Sequence, residues 1–317
     1  MESPSASARQ SPALDRQRRV RLVQIRGVEA FAEGAAYFIL AAGIIYVVGF
    51  TLWTIWISFT DSTLLPSYAF VGFKHYSRLL QSRVWHVAYS NLLLYGAAFI
   101  VVSCSVGMLL AVLIDQKIRA ETLFRTIFLY PMALSFVVTG TVWAWILNPT
   151  IGAERFVRGL GWTGFRFDWI VDRNMAIYTI SIAAVWQASG FAMALFLAGL
   201  RSLDADLYRA AQIDGASPLR MYLRILIPAI WPVVVSVLVI LLQLALKTYD
   251  LVQAMTAGGP GIATMLPTNV VYDYMFQRGQ MGEGSAAAVM LLISLLILML
   301  PYLALQRIRR GRQTRNG

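Results

Sequence analysis

Apolar runs of about 20 residues recur along the whole chain, the feature that most restricts its fold. Six such spans can be drawn, at roughly 35–59, 91–114, 124–147, 174–199, 229–256 and 284–305. Within lipid every backbone polar group must pair inside the protein, so spans of this length are expected to be helices. A barrel would instead show short alternating strands, and the sequence has none. Only 14% of residues are charged, against about 25% in soluble domains, so a water-soluble globule is excluded. The predicted class is an all-α integral membrane protein with six transmembrane helices. Its one cysteine, Cys104, lies inside an apolar run and cannot form an intrachain disulfide. His75 and His86 fall in one predicted loop with no cysteine or acidic cluster beside them in sequence, which argues against a metal site.

Residues 1–30 are rich in Ser, Pro and Arg and read as a flexible basic cytoplasmic arm, without the apolar core of a cleavable signal. Residues 31–306 form the predicted membrane domain, and 307–317 a basic cytoplasmic tail. Lys and Arg in the flanks set orientation. Eighteen lie in the arm, the second connection, the fourth connection and the tail, against eight in the other three connections. The first group is therefore placed in the cytoplasm, with both termini. Topology explains most of the net charge of +11 and points to anionic lipid headgroups, not nucleic acid.

Between the fourth and fifth spans lies a polar segment, 201–228. It reads Tyr208-Arg209-Ala210-Ala211-Gln212-Ile213-Asp214-Gly215-Ala216, then Ser217-Pro218, Tyr222 and Ile225 to Pro228. Asp-Gly is a turn signal, and Gly215 can adopt the positive φ that closes a helix. Ser217 before Pro218 is the pattern of an N-cap with proline at the first helical position. The segment is predicted to be a short helix-turn-helix at the membrane surface, able to pass force from a soluble partner into a bundle. Leu203, Leu207, Ala210 and Ala211 fall near one face of the first helix.

This segment resembles the cytoplasmic loop of importer-type ABC permeases, with its Glu-Ala-Ala, Asp-Gly-Ala and closing Leu-Pro. Other segments extend the resemblance to about 280 residues. Phe59-Thr60-Asp61 and Phe70-Val71-Gly72-Phe73-Lys74-His75-Tyr76 are similar to the opening periplasmic elements of carbohydrate permeases. Phe124-Arg125-Thr126 and Tyr130-Pro131 open the third span, and Trp143, Trp145, Asn148 and Pro149 end it. Thr256-Ala257-Gly258-Gly259-Pro260-Gly261 with Ala263-Thr264 resembles the turn of the MalF-like half of sugar-permease pairs.

The resemblance implies a multi-pass permease of the bacterial inner membrane, paired with a second permease subunit. It implies an ATPase dimer in the cytoplasm and a periplasmic or lipid-tethered binding protein that delivers sugar. The chain lacks a Gly-x-x-x-x-Gly-Lys-Ser/Thr phosphate loop, so it is not the ATPase and is not expected to be an enzyme. No cofactor is expected in this chain; ATP and magnesium belong to the partner. Arg209, Ala210, Ala211, Asp214, Gly215 and Ala216 are the expected ATPase-coupling residues. Arg209 departs from the family, which usually has Glu there. The cognate ATPase must then carry an acid, or Arg209 must find another carboxylate.

Ionisable groups within spans are costly and mark functional candidates. Gln243, Lys247 and Asp250 would share one face of an unbroken fifth helix, with Lys247 and Asp250 paired at i, i+3. Such a face could glue the bundle or line a polar cavity. Sugar hydroxyls need donors and acceptors, and Tyr249 could pack on a sugar ring. Thr248, with Gln187, Ser189 and Gly190 in the fourth span and Ser135 in the third, completes the substrate-binding candidates. Lys247 and Thr248 correspond in position to substrate contacts in MalF-like permeases. Competing readings are a related permease for a polyol, glycerol phosphate or anionic sugar, an ion-driven secondary carrier, and a membrane enzyme. The last has no supporting cluster of nucleophile, base or metal ligands.

Overall fold

The computed structural model describes residues 34, 37, 38 and 40–313 apart from 66 and 117, with the side chains of 299 and 301–313 undescribed. The predicted arm, Lys117 and residues 314–317 lie outside the described residues. The chain divides into two units, residues 1–56 and 57–317. The first contributes α1 (Leu40–Ile57), long and apolar enough to span a membrane.

In the second unit, α2 (Lys74–Gln81) precedes α3 (Arg83–Asp115), which begins well before the predicted span. His86 therefore sits on a helix and not in a loop. The helix α7 (Ala176–Arg201) packs along α3 to form the centre of the unit. Between lipid-exposed helices there is little hydrophobic driving force, so close approach depends on small residues. Gly107 supplies it: a Cβ there would stand 2.7 Å from the Ala192 Cβ and 3.0 Å from the Ser189 carbonyl oxygen. Phe196, Leu197, Leu200 and Met193 are fully buried around this crossing.

Two predicted spans are broken. The third comprises α4 (Glu121–Leu129), a 3-10 turn at Tyr130–Ala133 and α5 (Phe136–Ile146), with a bend of 99°. Pro131 and an extended Leu134 end the first half. Ser135 caps the second half, its hydroxyl accepting from the Val137 N–H at 3.2 Å. The span closes on an Asx turn, in which Asn148 Oδ1 accepts from the Thr150 and Ile151 N–H groups. The short helix α6 (Ala153–Gly159) lies in the connection to α7.

After α7 come α8 (Ala205–Ile213), α9 (Pro218–Met221), a π-helical turn at Tyr222–Leu226 and α10 (Ile227–Ala229). The chain bends by 74° before α11 (Trp231–Leu246), where Pro228 and Pro232 flank the break. The predicted fifth span to residue 256 is not continuous. α11 stops at Leu246, residues 247–249 form a turn, and α12 (Asp250–Met255) restarts against α5. The last elements are α13 (Pro267–Tyr272), a second π turn at Asp273–Gln277 and α14 (Met281–Gln313). α14 continues into the predicted tail.

At the other end of α3, Leu79, Trp85, Val270 and Tyr274 form a smaller core with Ala286 and Ala287 of α14. Beside it, Phe59–Asp61 pairs with Ala69–Val71, so two family-like segments quoted separately meet in space. Buried His75 donates from Nε2 to the Thr60 carbonyl at 3.0 Å, and its Nδ1 lies 3.7 Å from Glu283, which also pairs with Arg78. An acid thus does sit beside His75, supplied by a helix more than 200 residues away. Among the described residues no group of three or more potential metal ligands occurs.

Candidate functional site: a surface helix-turn-helix and two broken spans

The polar segment folds as its turn residues dictate. Asp204 caps α8 by accepting from the Asp206 N–H at 3.0 Å. Gly215 ends the helix with φ +69°, and the N–H groups of Ala216 and Gly215 bond the carbonyls of Ala211 and Gln212. This is a Schellman motif, with Asp214 exposed at the helix end. Ser217 then opens α9 with Pro218 at its first turn, although its hydroxyl makes no capping bond.

The helical period divides α8 into two faces. Leu203, Leu207, Tyr208 and Ala211 turn toward the bundle, and Ala211 is fully packed. Ala211 therefore packs against the bundle, unlike the exposed Arg209 and Asp214 with which the sequence groups it. Ala210 does not share its face and is exposed, as are Arg209 and Ile213, with Ile213 at 85%. Ala216 is half-buried. Arg209 finds its carboxylate within the same helix: Asp206 at 2.8 Å, with both side chains largely exposed.

The inner face carries contacts that motif reading missed. Tyr208 and Tyr222 donate to Asp115 Oδ2 at 3.2 and 2.8 Å. Asp115 ends α3 and its side chain is 8% exposed. Burial, with the Asp115 carboxylate beside it, pushes the Tyr208 phenol up to about 12, so it remains a donor at neutral pH. Arg201 lies 3.8 Å from Asp115 and makes closer contacts, 2.7 and 2.8 Å, with Glu121 at the start of α4.

The substrate candidates separate into groups. At the third-span break, Ser135 is the helix cap already described. Buried Gln187 donates from Nε2 to the Leu134 carbonyl at 2.8 Å, while its Oε1 has no partner among the described residues. Gly190 offers no approach to a ligand, because a Cβ there would lie 1.7 Å from the Phe128 carbonyl oxygen; α4 occupies that space. Ser189 instead lines an apolar groove of about 800 Å³ with Trp143, Trp169, Tyr178 and Trp186.

At the fifth-span break, Gln243, Lys247 and Asp250 are all exposed. They do not share a helical face, because helical geometry lapses at Lys247 (φ −97°, ψ 9°) and resumes at Asp250. No ion pair links Lys247 to Asp250 for the same reason. Thr248 is buried; its hydroxyl meets the Leu244 carbonyl at 2.8 Å and the Tyr95 hydroxyl at 2.9 Å. Tyr249 is half-buried, its ring 4.8 Å from that of Tyr272. The two breaks adjoin through α12, which packs on both α5 and α7. Open backbone at membrane depth is tolerated where it is enclosed by protein or lines a wet cavity.

A bundle with broken spans and a surface helix-turn-helix defines a membrane permease component, and relatives agree. Residues 103–314 match the family described as binding-protein-dependent transport system inner membrane component. A probable ABC transporter permease protein of Pyrococcus horikoshii is 40% identical over 82% of this chain and 89% of its own. The xylose/arabinose import permease protein XacH of Haloferax volcanii is 34% identical, over 87% and 88%. Among solved structures, a chain of a bacterial ABC transporter that imports the acidic polysaccharide alginate superposes with a TM-score of 0.77. That match has 21% identity and covers 90% of this chain and 98% of the other. The chain belongs to the binding-protein-dependent inner-membrane component family. It is an ABC importer permease subunit, a membrane component and not an enzyme.

Proposed function

We propose that the chain is one of two permease subunits of an ATP-driven sugar importer and forms half of the solute path. Both termini and the 201–228 segment lie in the cytoplasm. The observation that carries this reading is α8 with its Schellman turn, held outside the spans with Arg209, Ala210, Asp214 and Gly215 outward. That face docks in a cleft of a cytoplasmic ATPase, which binds ATP and magnesium. Closure of the ATPase dimer draws the docked helices together and rocks the spans. A periplasmic or lipid-tethered binding protein delivers the solute. The named substrate of the Haloferax relative supports a sugar as cargo.

Within the path, Gln243, Lys247 and Asp250 supply donors and acceptors to sugar hydroxyls, and Tyr249 an aromatic face. Gln187 adds an unpartnered carbonyl from the neighbouring helix. Ser135, Ser189, Gly190 and Thr248 act by shaping the breaks. A phosphorylated or anionic solute is the second reading. It is favoured by exposed Lys247, which has no ion pair among the described residues, and by a Brucella abortus relative named as an sn-glycerol-3-phosphate transport system permease.

The test is ATP hydrolysis in liposomes by this chain co-expressed with its neighbouring genes, with and without binding protein and a panel of sugars. Sugar-dependent hydrolysis is expected, and it is lost in Gly215→Arg while assembly persists. Failure to co-purify an ATPase, together with ion-driven uptake by the chain alone, would establish a secondary carrier instead.

A further inference from the structure

Asp115 is placed where a carboxylate gains least. It ends a 33-residue helix, at the negative end of the dipole, and its side chain is only 8% exposed. Among the described residues the cation that pairs with it is Arg201, which Glu121 engages more closely. The close partners of Asp115 are two phenols from opposite arms of the surface helix-turn-helix, Tyr208 on α8 and Tyr222 just beyond α9. The same oxygen accepts both, so the two arms meet at one atom of α3. Arg201, at the end of α7, adds a third helix, and through Glu121 a fourth.

Irregular backbone lies just past this node. Tyr222 is the first residue of a π-helical turn, followed three residues after that turn by the 74° bend into α11. A displacement of α8 can thus reach α3 directly through Asp115. Without that joint, it would have to pass through the π turn and the bend, where the regular helical hydrogen-bond pattern is interrupted.

We infer that Asp115 is the joint that fixes the helix-turn-helix to the span ends, a positioning residue that makes movement of the surface helix into movement of the bundle. This rests on the proposed docking of α8 to an ATPase. The aromatic bodies of Tyr208 and Tyr222 pack in the core around the joint, so removing the hydroxyls alone loosens the link without emptying the site.

The experiment uses the complete transporter, co-expressed from the neighbouring genes, in a Cys104→Ser background. Gln253→Cys, on α12 and outside the proposed solute contacts, reports on the bundle through its labelling rate with a water-soluble maleimide, before and after trapping with ATP and vanadate. In the otherwise native chain trapping is expected to change that rate. In Tyr208→Phe/Tyr222→Phe, co-purified ATPase and trapped nucleotide are expected to stay at native levels. The labelling response, however, should fall roughly tenfold or more, since two hydrogen bonds to a charged group are lost. Asp115→Asn keeps an acceptor for the phenols and should restore more of the response than Asp115→Leu. A native response in the double Phe variant overturns the joint. So does a loss of response that merely tracks loss of bound ATPase, since that is a folding defect. Absence of any co-purified ATPase in the native chain removes the docking reading and this inference with it, a result distinct from either of the others.

Discussion

Gly190 and Gly215 are both glycines for steric reasons, yet those reasons predict different phenotypes. At Gly190 the obstacle is a neighbouring backbone: the Phe128 carbonyl occupies the space of a Cβ. Gly190→Ala must push α4 off α7, an overpacking change that costs about 1–3 kcal/mol. Thermal unfolding in detergent should show a lowered midpoint. At Gly215 nothing lies within 4 Å of a Cβ, and the constraint is the positive φ. Gly215→Ala there costs about 1–2 kcal/mol locally, confined to the α8 turn. The bundle should keep its unfolding midpoint and its co-purified ATPase, while sugar-dependent ATP hydrolysis by the assembled transporter should fall. Arg209 belongs to the same surface. Its pair with Asp206 is exposed and worth at most about 0.5 kcal/mol. Arg209→Glu, which supplies the usual family acid, should therefore leave stability within error. Its effect should appear in ATPase activity of the assembled transporter. An unchanged activity would show that Arg209 faces no partner charge.

Among elements, the two breaks matter most. Thr248 and Tyr95 hold the fifth-span break to α3 through a buried hydroxyl pair. Tyr95→Phe removes one hydrogen bond of about 1 kcal/mol. A small loss of stability with a larger change in transport rate is expected, and uptake assays alongside thermal unfolding would separate the two. Lys247→Gln and Asp250→Asn should raise the KM for uptake without altering solute affinity of the isolated binding protein. A KM that stays put for both would remove them from the path. The helix-turn-helix is legible in sequence because its signals are local: Gly215 closes α8 by its positive φ and Pro218 opens α9, although Ser217 makes no capping bond. The breaks are not. Hydropathy over a span-length window averages across a three-residue turn, and apolar Leu134 and Ile230 carry no mark of their conformations. The wrong helical face for Lys247 and Asp250 followed from assuming continuity. The Asp115 node was equally hidden, since its partners lie 93 and 107 residues away. Nothing local distinguishes a tyrosine that packs from one that also reaches a remote carboxylate.

On the scale of the whole molecule, orientation is the property on which every partner depends. The count of Lys and Arg is an argument from insertion energetics and biosynthesis, independent of any contact. It places the 201–228 connection inside and the 147–175 connection outside. Yet the outer connection itself carries Arg155, Arg158, Arg166 and Arg173, so the bias is not one-sided. Two of these are partly neutralised: Arg158 pairs with Glu154 at 2.7 Å, and Arg166 lies 3.8 Å from Asp168. The single native cysteine makes the assignment testable. In Cys104→Ser, Thr163→Cys and Ser217→Cys place one exposed thiol on each of these two connections. A membrane-impermeant maleimide added to intact spheroplasts should label Thr163→Cys at once, and Ser217→Cys only after permeabilisation. The reverse pattern would put α8 out of reach of any cytoplasmic ATPase and would dismantle the coupling mechanism at its first step. Labelling of both thiols without permeabilisation would show a mixed topology, and then the paired arginines would be the first residues to substitute.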